Sequence, residues 1–303
     1  MPTALRYSFA ALYHDRGHCV YDGIMIRRLT VGRADFFSMQ IATVHRSLEQ
    51  LCEIFAGVPR KVLSRATAPD GTLSWSFNLP LVRVSGQTVL IDTGFSFGPG
   101  GPGAATGDLL AEAGIGPADV DVVVITHAHG DHIGGLLTNG RPSFNRAEIA
   151  MSRAEHEFWT GSAAELHHGA DAVRKVRQAF AAYADRTRLV GDGDPAASGP
   201  EGSLSVLSIP GHTPGHIGLE LTSEGQSVRV LTDTLHAAFQ LADLDWFPRF
   251  DVDPLASAAS RKRILRDVIA SRTTLHLYHF PFPGLGHVQD TSTGLKWVPL
   301  AEA

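Results

Sequence analysis

The stretch Thr126-His127-Ala128-His129-Gly130-Asp131-His132 directly follows the apolar run Val122-Val123-Val124-Ile125. Three imidazoles and one carboxylate therefore lie within six positions, behind a predicted buried strand, and a glycine lets the chain turn there. Neutral imidazole and carboxylate are preferred ligands of zinc and of related divalent metals. No packing rule requires this spacing, so it predicts a metal site at the end of a strand rather than a polar loop with chance histidines.

Three later segments also place candidate ligands directly after predicted strands. Residues 204–209 precede Pro210-Gly211-His212-Thr213-Pro214-Gly215-His216, residues 228–232 precede Asp233, and residues 274–278 precede His279. Strand ends that each offer His or Asp are typical of a site assembled from loops on a rigid sheet.

Composition limits the class of protein. The chain has 303 residues, 44% hydrophobic and 19% charged, with a net charge of −5. This length fits one large or two medium domains, and the negative charge without long Lys/Arg runs disfavours nucleic acid as a partner. Two cysteines cannot form a disulfide framework. With no signal peptide or membrane-spanning apolar stretch evident, we expect a cytoplasmic protein without a membrane partner.

The periodicity of apolar residues predicts an α/β protein in which two strand-rich halves pack as a sandwich with helices outside. Strands are expected within residues 22–42 and at 79–84, 88–92, 122–125, 147–151, 204–209, 217–221, 228–232 and 274–278. Helices are expected at 44–56, 108–113, 155–159 and 163–182, with a last one that begins at Asp253-Pro254. Loops are expected at 94–107, 191–202 and 279–287.

The segments T-H-A-H-G-D-H at 126–132, P-G-H-T-P-G-H at 210–216 and T-D-T at 232–234 resemble those of the metallo-β-lactamase superfamily. The resemblance spans residues 75 to 290. It implies an α/β, four-layer αββα sandwich in which residues 1–303 form a single domain, with residues 1–70 as an N-terminal extension that contributes strands and a helix. The segment H-F-P-F-P-G-L-G-H at 279–287, followed by Trp297-Val298-Pro299, is similar to the methyl parathion hydrolase branch, near the N-acyl-homoserine lactonases.

This resemblance implies a dinuclear centre of two divalent metal ions, with zinc expected and manganese, iron or cobalt accepted by the same ligands. The implied ligands are His127, His129 and His212 for one ion, Asp131, His132 and His279 for the other, and Asp233 as a bridge between them. A hydroxide that bridges the two ions would then be the nucleophile. Asp131 is also a candidate for protonating the leaving alkoxide.

Position 236 departs from both related groups. Homoserine-type lactonases commonly have a tyrosine three residues after the bridging aspartate, and methyl parathion hydrolases have an apolar residue there. This chain has His236. We expect His236 to line the active site as a catalytic residue beside Asp131 and Asp233, where imidazole can donate a hydrogen bond or carry a proton. The alternative is a histidine that packs under the following loop.

The function implied is hydrolysis of ester or lactone bonds, with phosphotriesters as side substrates. Diiron oxidoreductases of the superfamily have glutamate where this chain has His129, and several true β-lactamases have cysteine where it has Asp233, so both of those roles are disfavoured. Apolar side chains near the predicted ligands favour a small apolar substrate. They are Phe158, Trp159, Trp246, Phe247, Phe250, Phe280, Phe282 and Leu285.

Two alternatives stay open. One is a glyoxalase II-like thioesterase, disfavoured because the C-terminal tail has Lys296 but no cationic cluster for glutathione. The other is a non-catalytic metal-binding protein on the same fold, whose usual sign is an incomplete ligand set. Relatives of this branch also imply a homodimer.

Four further residues have competing interpretations. Asp92 either orients a ligating histidine or caps a turn. His216 is interpreted as structural, and His287 is the weaker rival of His279 for the last ligand position. Cys52 lies on the apolar stripe of its predicted helix and is expected to be a buried small hydrophobe.

Overall fold

A computed structural model describes residues 19–20, 23–95 and 105–301, and its strands form two large sheets and one small one. The first large sheet consists of β1 (Cys19–Val20), β2 (Met25–Val31), β3 (Ala34–Ser47), β4 (Thr72–Val84), β5 (Gln87–Ile91), β6 (Val122–Ile125), β9 (Glu148–Ser152) and β10 (Thr187–Val190). Its order is β1-β3-β4-β5-β6-β9-β10, and β2 also pairs with β3. The small sheet joins β7 (Leu137–Thr138) and β8 (Arg141–Pro142).

The second large sheet follows the order of the chain. Its strands are β11 (Pro195–Gly199), β12 (Gly202–Ser208), β13 (Ile217–Ser223), β14 (Gln226–Val230), β15 (Thr274–His276), β16 (Leu285–Thr291) and β17 (Gly294–Pro299). All neighbours in this sheet are antiparallel except β14 and β15, which are parallel.

Eight α-helices occur in the described residues. They are α1 (Leu48–Ile54), α2 (Arg60–Ala66), α3 (Thr106–Glu112), α4 (Gly130–Ile133), α5 (Arg153–Thr160), α6 (Ala163–His168), α7 (Ala170–Ala182) and α8 (Pro254–Ser271). Apolar side chains of α3, α5, α6 and α7 pack on the first large sheet, and those of α8 pack on the second. A further core lies between the two sheets. These layers confirm the predicted αββα sandwich.

Strand β6 shows why a continuous apolar run is needed beside the site. Val122 and Val124 point into the core between the sheets, whereas Val123 and Ile125 point into the core under the helices. Successive side chains of a strand alternate between faces, so a strand covered on both faces must be apolar throughout. Because β5, β6 and β9 are parallel, their carboxyl ends lie at one edge of the sheet, where the histidine-rich stretch begins.

Several local predictions are confirmed. Ser85 and Gly86, with φ of 51° and 76°, form the two-residue turn that joins β4 to β5 as a hairpin. Asp253 caps α8 by accepting a hydrogen bond from the Ala256 amide, and Pro254 is the first helical residue.

No helix of the described residues is long and apolar enough to cross a membrane.

The predicted helix over 44–56 begins too early. Val44 to Ser47 continue β3 in register with β4, and the helix begins only at Leu48. Ser47 is its N-cap, and a reciprocal pair of hydrogen bonds with Gln50 fixes the start. Cys52 on this helix is half-buried rather than buried and packs beside the core of α1 and α2.

Three other predicted boundaries are wrong. Residues 163–182 form two helices rather than one, because Gly169 adopts a φ of 78° between α6 and α7. Residues 191–202 contain β11, whose Ala196 and Ala197 are buried in the inter-sheet core. The loop predicted over 279–287 gives way to β16 at Leu285, and the hairpin of β16 and β17 extends the sheet. The loop predicted at 94–107 lies mainly outside the described residues.

Candidate metal centre

Four loops at one end of the two sheets carry the predicted ligands. The loops follow β6, β12, β14 and β15, and all seven residues are at most 3% exposed. Parallel pairing places the ends of β14 and β15 side by side, so the segments that carry Asp233 and His279 emerge together. Strand geometry thus collects residues that are far apart in the sequence.

The donor atoms form two groups. One contains His127, His129 and His212, and the other contains Asp131, His132, Asp233 and His279; within each group, one donor atom of every residue lies within 4.8 Å of the others. A third group of the same kind joins His212 and Asp233 to His236. The structure therefore brings all seven predicted ligands together in the two sets that the resemblance implies.

Asp233 lies between the two sets. Its Oδ2 is 3.3 Å from His212 Nε2 and 3.7 Å from His127 Nε2 of the first group. The same oxygen is 3.2 Å from His279 Nε2 of the second group, and Oδ1 is 3.2 Å from His132 Nε2. One carboxylate thus reaches donors on both sides, as a bridging ligand must.

Several buried donor atoms of the site have no hydrogen-bond partner in the described part of the chain. They are the Nε2 atoms of His127, His132 and His212, both carboxylate oxygens of Asp131, and Oδ1 of Asp233. An unsatisfied buried polar atom costs about 1–3 kcal/mol, and more if it is charged. A pair of divalent cations would satisfy all of these atoms at once, so the residues present fit such a pair.

The predicted ligands differ in their protonation states. Burial alone would lower the pKa of His132 and His212, but neighbouring aspartates raise it well above the usual value for His132 and to about 9 for His212, so these two rings must lose a proton to bind a metal. Burial, together with neighbouring imidazoles, holds the pKa of His127 and His129 well below the usual value, so both rings are neutral and can act as ligands. Burial alone would raise the pKa of Asp233, but the imidazoles of His279 and His132 outweigh it and hold that pKa well below its usual range. The bridging carboxylate is therefore ionised.

Two buried aspartates hold the imidazoles of two predicted ligands in orientation. Asp92 Oδ2 accepts from His132 Nδ1 at 2.7 Å, and its oxygens also accept from the amide and hydroxyl of Thr126. Asp251 Oδ1 accepts from His212 Nδ1 at 2.7 Å. Both contacts leave the Nε2 atom free to bind a metal. Asp92 was among the sequence candidates for this role, whereas nothing in the sequence pointed to Asp251.

Glu155 was also missed by the sequence analysis. It is fully buried on α5 with no cationic partner among the described residues, and both carboxylate oxygens accept hydrogen bonds from the loops that carry predicted ligands. Oε1 accepts from the Ala128 amide and Trp159 Nε1, and Oε2 accepts from Thr213 Oγ1 and the Gly215 amide. Burial raises the pKa of this carboxyl, although the four hydrogen bonds act in the opposite direction.

His236 lies within the site. Its ring is 0% exposed, its Nε2 is 3.3 Å from Asp233 Oδ2, and it stacks on the ring of His279 at 5.1 Å. Burial lowers its pKa to about 4, so the ring is neutral. The structure thus places His236 beside Asp233 and His279, among the predicted ligands.

Other histidines have different surroundings. His216 Nε2 lies 2.8 Å from Thr232 Oγ1, and His287 is half-buried with Nδ1 3.4 Å from the Thr273 carbonyl; neither belongs to a donor group. His168, for which no role was expected, stacks on Trp159 at 4.5 Å, and its ring centre is 5.0 Å from that of His129. His14 and His18 lie outside the described residues.

A cavity of about 860 Å³ lies beside His129. Its walls are mainly apolar and include Phe95, Ile133, Leu137, Trp159, Val176 and Ala179, with His168 and Lys175 among the polar contributors. Of the aromatic residues expected near the substrate, Trp159 lines this cavity. Phe250 instead packs against His212 and His236, and Phe280 packs against Trp297 in the core of the second sheet.

Comparison with known proteins identifies relatives. A family model for the metallo-beta-lactamase superfamily matches residues 81–273. Metallo-beta-lactamase domain-containing protein 1 of Mus musculus is 30% identical over 177 residues, 58% of this chain and 55% of its own length. An N-acyl homoserine lactonase of Bacillus thuringiensis is 28% identical over 163 residues, 54% of this chain and 56% of its own. The chain thus spans about half the length of these curated relatives.

Among solved structures, the dizinc quorum-quenching lactonase AidC, in complex with a product, superposes with a TM-score of 0.82. The match covers 92% of this chain and 99% of AidC, at 22% sequence identity. At this identity the likeness establishes a shared fold.

Proposed function

The chain belongs to the metallo-beta-lactamase superfamily, and on that premise we propose that it is a metal-dependent hydrolase of ester or lactone bonds in small apolar substrates. The observation that carries the proposal is the convergence of two donor groups joined by one buried carboxylate, Asp233. The lactone part is supported by the Bacillus thuringiensis relative, an N-acyl homoserine lactonase. We also propose that the protein is related to the methyl parathion hydrolase branch and hydrolyses phosphotriesters as side substrates.

Seven residues would hold two divalent ions in this account: His127, His129 and His212 on one side, Asp131, His132 and His279 on the other, and Asp233 between them. Zinc is the proposed metal, because five imidazoles and two carboxylates form a donor set typical of it. When bound, such ions lower the pKa of water towards neutrality and polarise a carbonyl or phosphoryl oxygen.

The chain's own residues supply orientation and proton transfer. Asp92 and Asp251 fix the tautomers of His132 and His212 by accepting from Nδ1. In the described residues both oxygens of Asp131 are buried without a hydrogen-bond partner, so this carboxylate could accept a proton from the attacking water and pass it to the leaving alkoxide oxygen. His236, with Nε2 3.3 Å from Asp233 Oδ2, is proposed to act at the same centre as Asp233.

The cavity beside His129 supports an apolar substrate. Its lining is mainly uncharged and includes Trp159, Ile133 and Val176, and Lys175 is one of the few charged residues there. A volume of about 860 Å³ accommodates a medium-sized acyl or alkoxy group next to the metal ligands. We propose that this group of the substrate binds there.

Residues 1–303 are proposed to form one domain. The pairing of β2 with β3 and of β3 with β4 makes residues 25–31 and 34–47 part of the first sheet.

The test is turnover of p-nitrophenyl esters and N-acyl homoserine lactones by the zinc-reconstituted protein, with and without a chelator. We expect hydrolysis that chelation abolishes and added zinc restores. Asp233→Ala should lose turnover, whereas Asp245→Ala, which changes an exposed carboxylate paired with Lys262, should keep it. Turnover that survives complete metal removal would contradict the proposal, and so would inactivity towards both substrate classes with two ions bound.

A further inference from the structure

His236 is enclosed by aromatic rings and by other imidazoles. The ring centres of Phe250, Trp75 and Phe55 lie 5.1, 5.9 and 6.5 Å from its own. In the described residues neither of its ring nitrogens makes a hydrogen bond, although the side chain is 0% exposed. A neutral imidazole carries one donor and one acceptor, so leaving both unused in such a place is costly.

Two other buried histidines outside the proposed ligand set have a hydroxyl group beside Nε2. His276 Nε2 is 3.1 Å from Ser38 Oγ, and His216 Nε2 is 2.8 Å from Thr232 Oγ1. Among the described residues His236 has no such hydroxyl partner, so a purely structural role leaves its nitrogens unexplained.

The backbone around His236 is fixed, so its ring direction is a property of the fold. Gln240 Oε1 accepts from the amides of His236 and Ala237, at 2.7 and 3.2 Å. The ring is thereby held with Nε2 3.3 Å from Asp233 Oδ2, and it forms a donor group with His212 and Asp233 within 4.8 Å.

The placement of His236 fits a direct contact with substrate less well than it fits metal binding. The described residues that line the large cavity include His129 but not His236, which lies against Phe55 and Trp75. A substrate group in the cavity therefore meets the His129 side of the centre.

From these observations we infer that His236 is an additional metal ligand, which coordinates through Nε2 the ion that His212 and Asp233 hold. The inference rests on the proposed function, because it presupposes the metal pair. His236 then provides an eighth protein donor and leaves one coordination position fewer for water. Its Nδ1 lacks the carboxylate partner that His132 and His212 have, so it is the weaker donor of the set.

The experiment compares wild type with His236→Phe, which keeps the ring shape and removes both nitrogens. Metal-free proteins are titrated with Zn²⁺ against a chromophoric chelator, and the Co²⁺ forms are compared by visible absorption. We expect one of the two ions to bind at least about tenfold more weakly in the variant, because even the loss of a group that only supports a ligand has an effect of this size. The visible spectrum of the Co²⁺ form should also change. Urea unfolding of the metal-free variant should be no easier than that of wild type, since an unsatisfied polar group is removed.

His287→Phe is the matched control, because His287 is half-buried and outside every donor group. It should keep wild-type metal affinity and cobalt spectrum. If His236→Phe binds both ions with wild-type affinity and has an unchanged cobalt spectrum, the inference is overturned while the proposed function stands. A drop in kcat alone would then indicate that His236 contacts the substrate or transfers a proton. A wild-type chain that binds fewer than two ions overturns the proposed function and this inference together. If His236→Phe does not fold, His236→Gln is used under the same criteria.

Discussion

Glu155 Oε2 accepts a hydrogen bond of 2.6 Å from Thr213 Oγ1, across 58 positions of the sequence. Thr213 follows His212 directly. Glu155 Oε1 accepts a second hydrogen bond, of 2.8 Å, from the amide of Ala128, which lies between His127 and His129. One buried carboxylate thus joins the two loops that supply the all-histidine donor group. The relative position of these loops depends on this contact.

Replacing Glu155 by Gln should disturb both loops. The amide group would bring two N–H donors towards a site where three N–H groups and a hydroxyl already donate. We expect unfolding of the metal-free protein to become easier by about 1–3 kcal/mol, with weaker zinc binding. Urea denaturation and chelator competition measure the two effects. Glu157→Gln, an exposed change on the same helix, should do neither; equal behaviour of the two variants would refute the role given to Glu155.

Asp251→Ala should weaken metal binding at the ion that His212 serves. Without Asp251 Oδ1, His212 Nδ1 loses the acceptor 2.7 Å away that holds the ring in place. Loss of such a partner typically costs about 10–100-fold in metal affinity. Zinc affinity measured against a chelator checks this, with Asp245→Ala as the control. An affinity unchanged in Asp251→Ala would show that His212 does not need this partner.

Ala172→Phe should alter substrate selectivity without touching the metal ligands. Ala172 is half-buried on α7 and lines the large cavity, so a phenyl ring there reduces its volume. We expect kcat/KM for long-chain acyl lactones to fall by about tenfold or more relative to short-chain ones. Ala181→Phe, an exposed change on the same helix, should leave the ratio unchanged. A chain-length profile that is identical in Ala172→Phe and wild type would place the acyl group elsewhere.

The stability of the metal-free protein should decrease in acid, in part through His276. Burial lowers the pKa of His276 to about 3, whereas in the unfolded chain it titrates near 6.5. Between these values the unfolded state binds one more proton, so the stabilisation is fully present above about pH 6.5 and is lost as the pH falls towards 3. By pH 5 this linkage has lowered the free energy of unfolding by about 2 kcal/mol relative to its value above pH 6.5.

Urea unfolding of wild type and His276→Phe at several pH values tests this linkage. The variant should have a flatter dependence of unfolding free energy on pH, by up to about 1.4 kcal/mol per pH unit. His287→Phe serves as the control. Parallel curves for wild type and His276→Phe would mean that His276 is not the neutral, buried group described.

The parts of the site that the sequence predicts are those encoded locally. His127 to His132 follow a strand whose four residues are all apolar, and the strand, the turn and the ligands lie within a few positions. His212, Asp233 and His279 each follow a predicted strand in the same way. Parallel strand ends then meet at one edge, so the grouping of these residues follows from topology.

The supporting residues could not be predicted, because their partners are distant in sequence. Ser152 and Glu155 form an S-x-x-E pattern, which locally indicates only a helix cap. Ser152 Oγ does accept from the Glu155 amide at 3.1 Å, but the Glu155 carboxylate turns to residues 128 and 213 instead. Asp251 has no local signal at all, since its partner His212 is 39 positions away.

Errors in the secondary structure have a similar origin. Strand β11 has few apolar residues, and Ala196 and Ala197 become strand residues only because β12 and the opposite sheet lie beside them. The break at Gly169 did carry a local signal, since a glycine after two histidines is a common helix end. The apolar period of residues 163–182 continues across Gly169, so periodicity alone predicts a single helix.

Four loops of this chain are proposed to share a pair of divalent ions across Asp233. The decisive measurement is metal analysis of the zinc-reconstituted wild type and of Asp233→Ala, after removal of loosely bound metal. We expect two zinc ions per wild-type chain and at most one in Asp233→Ala, with loss of turnover. Wild-type protein without stoichiometric metal, or Asp233→Ala with two ions and full turnover, would contradict this proposal.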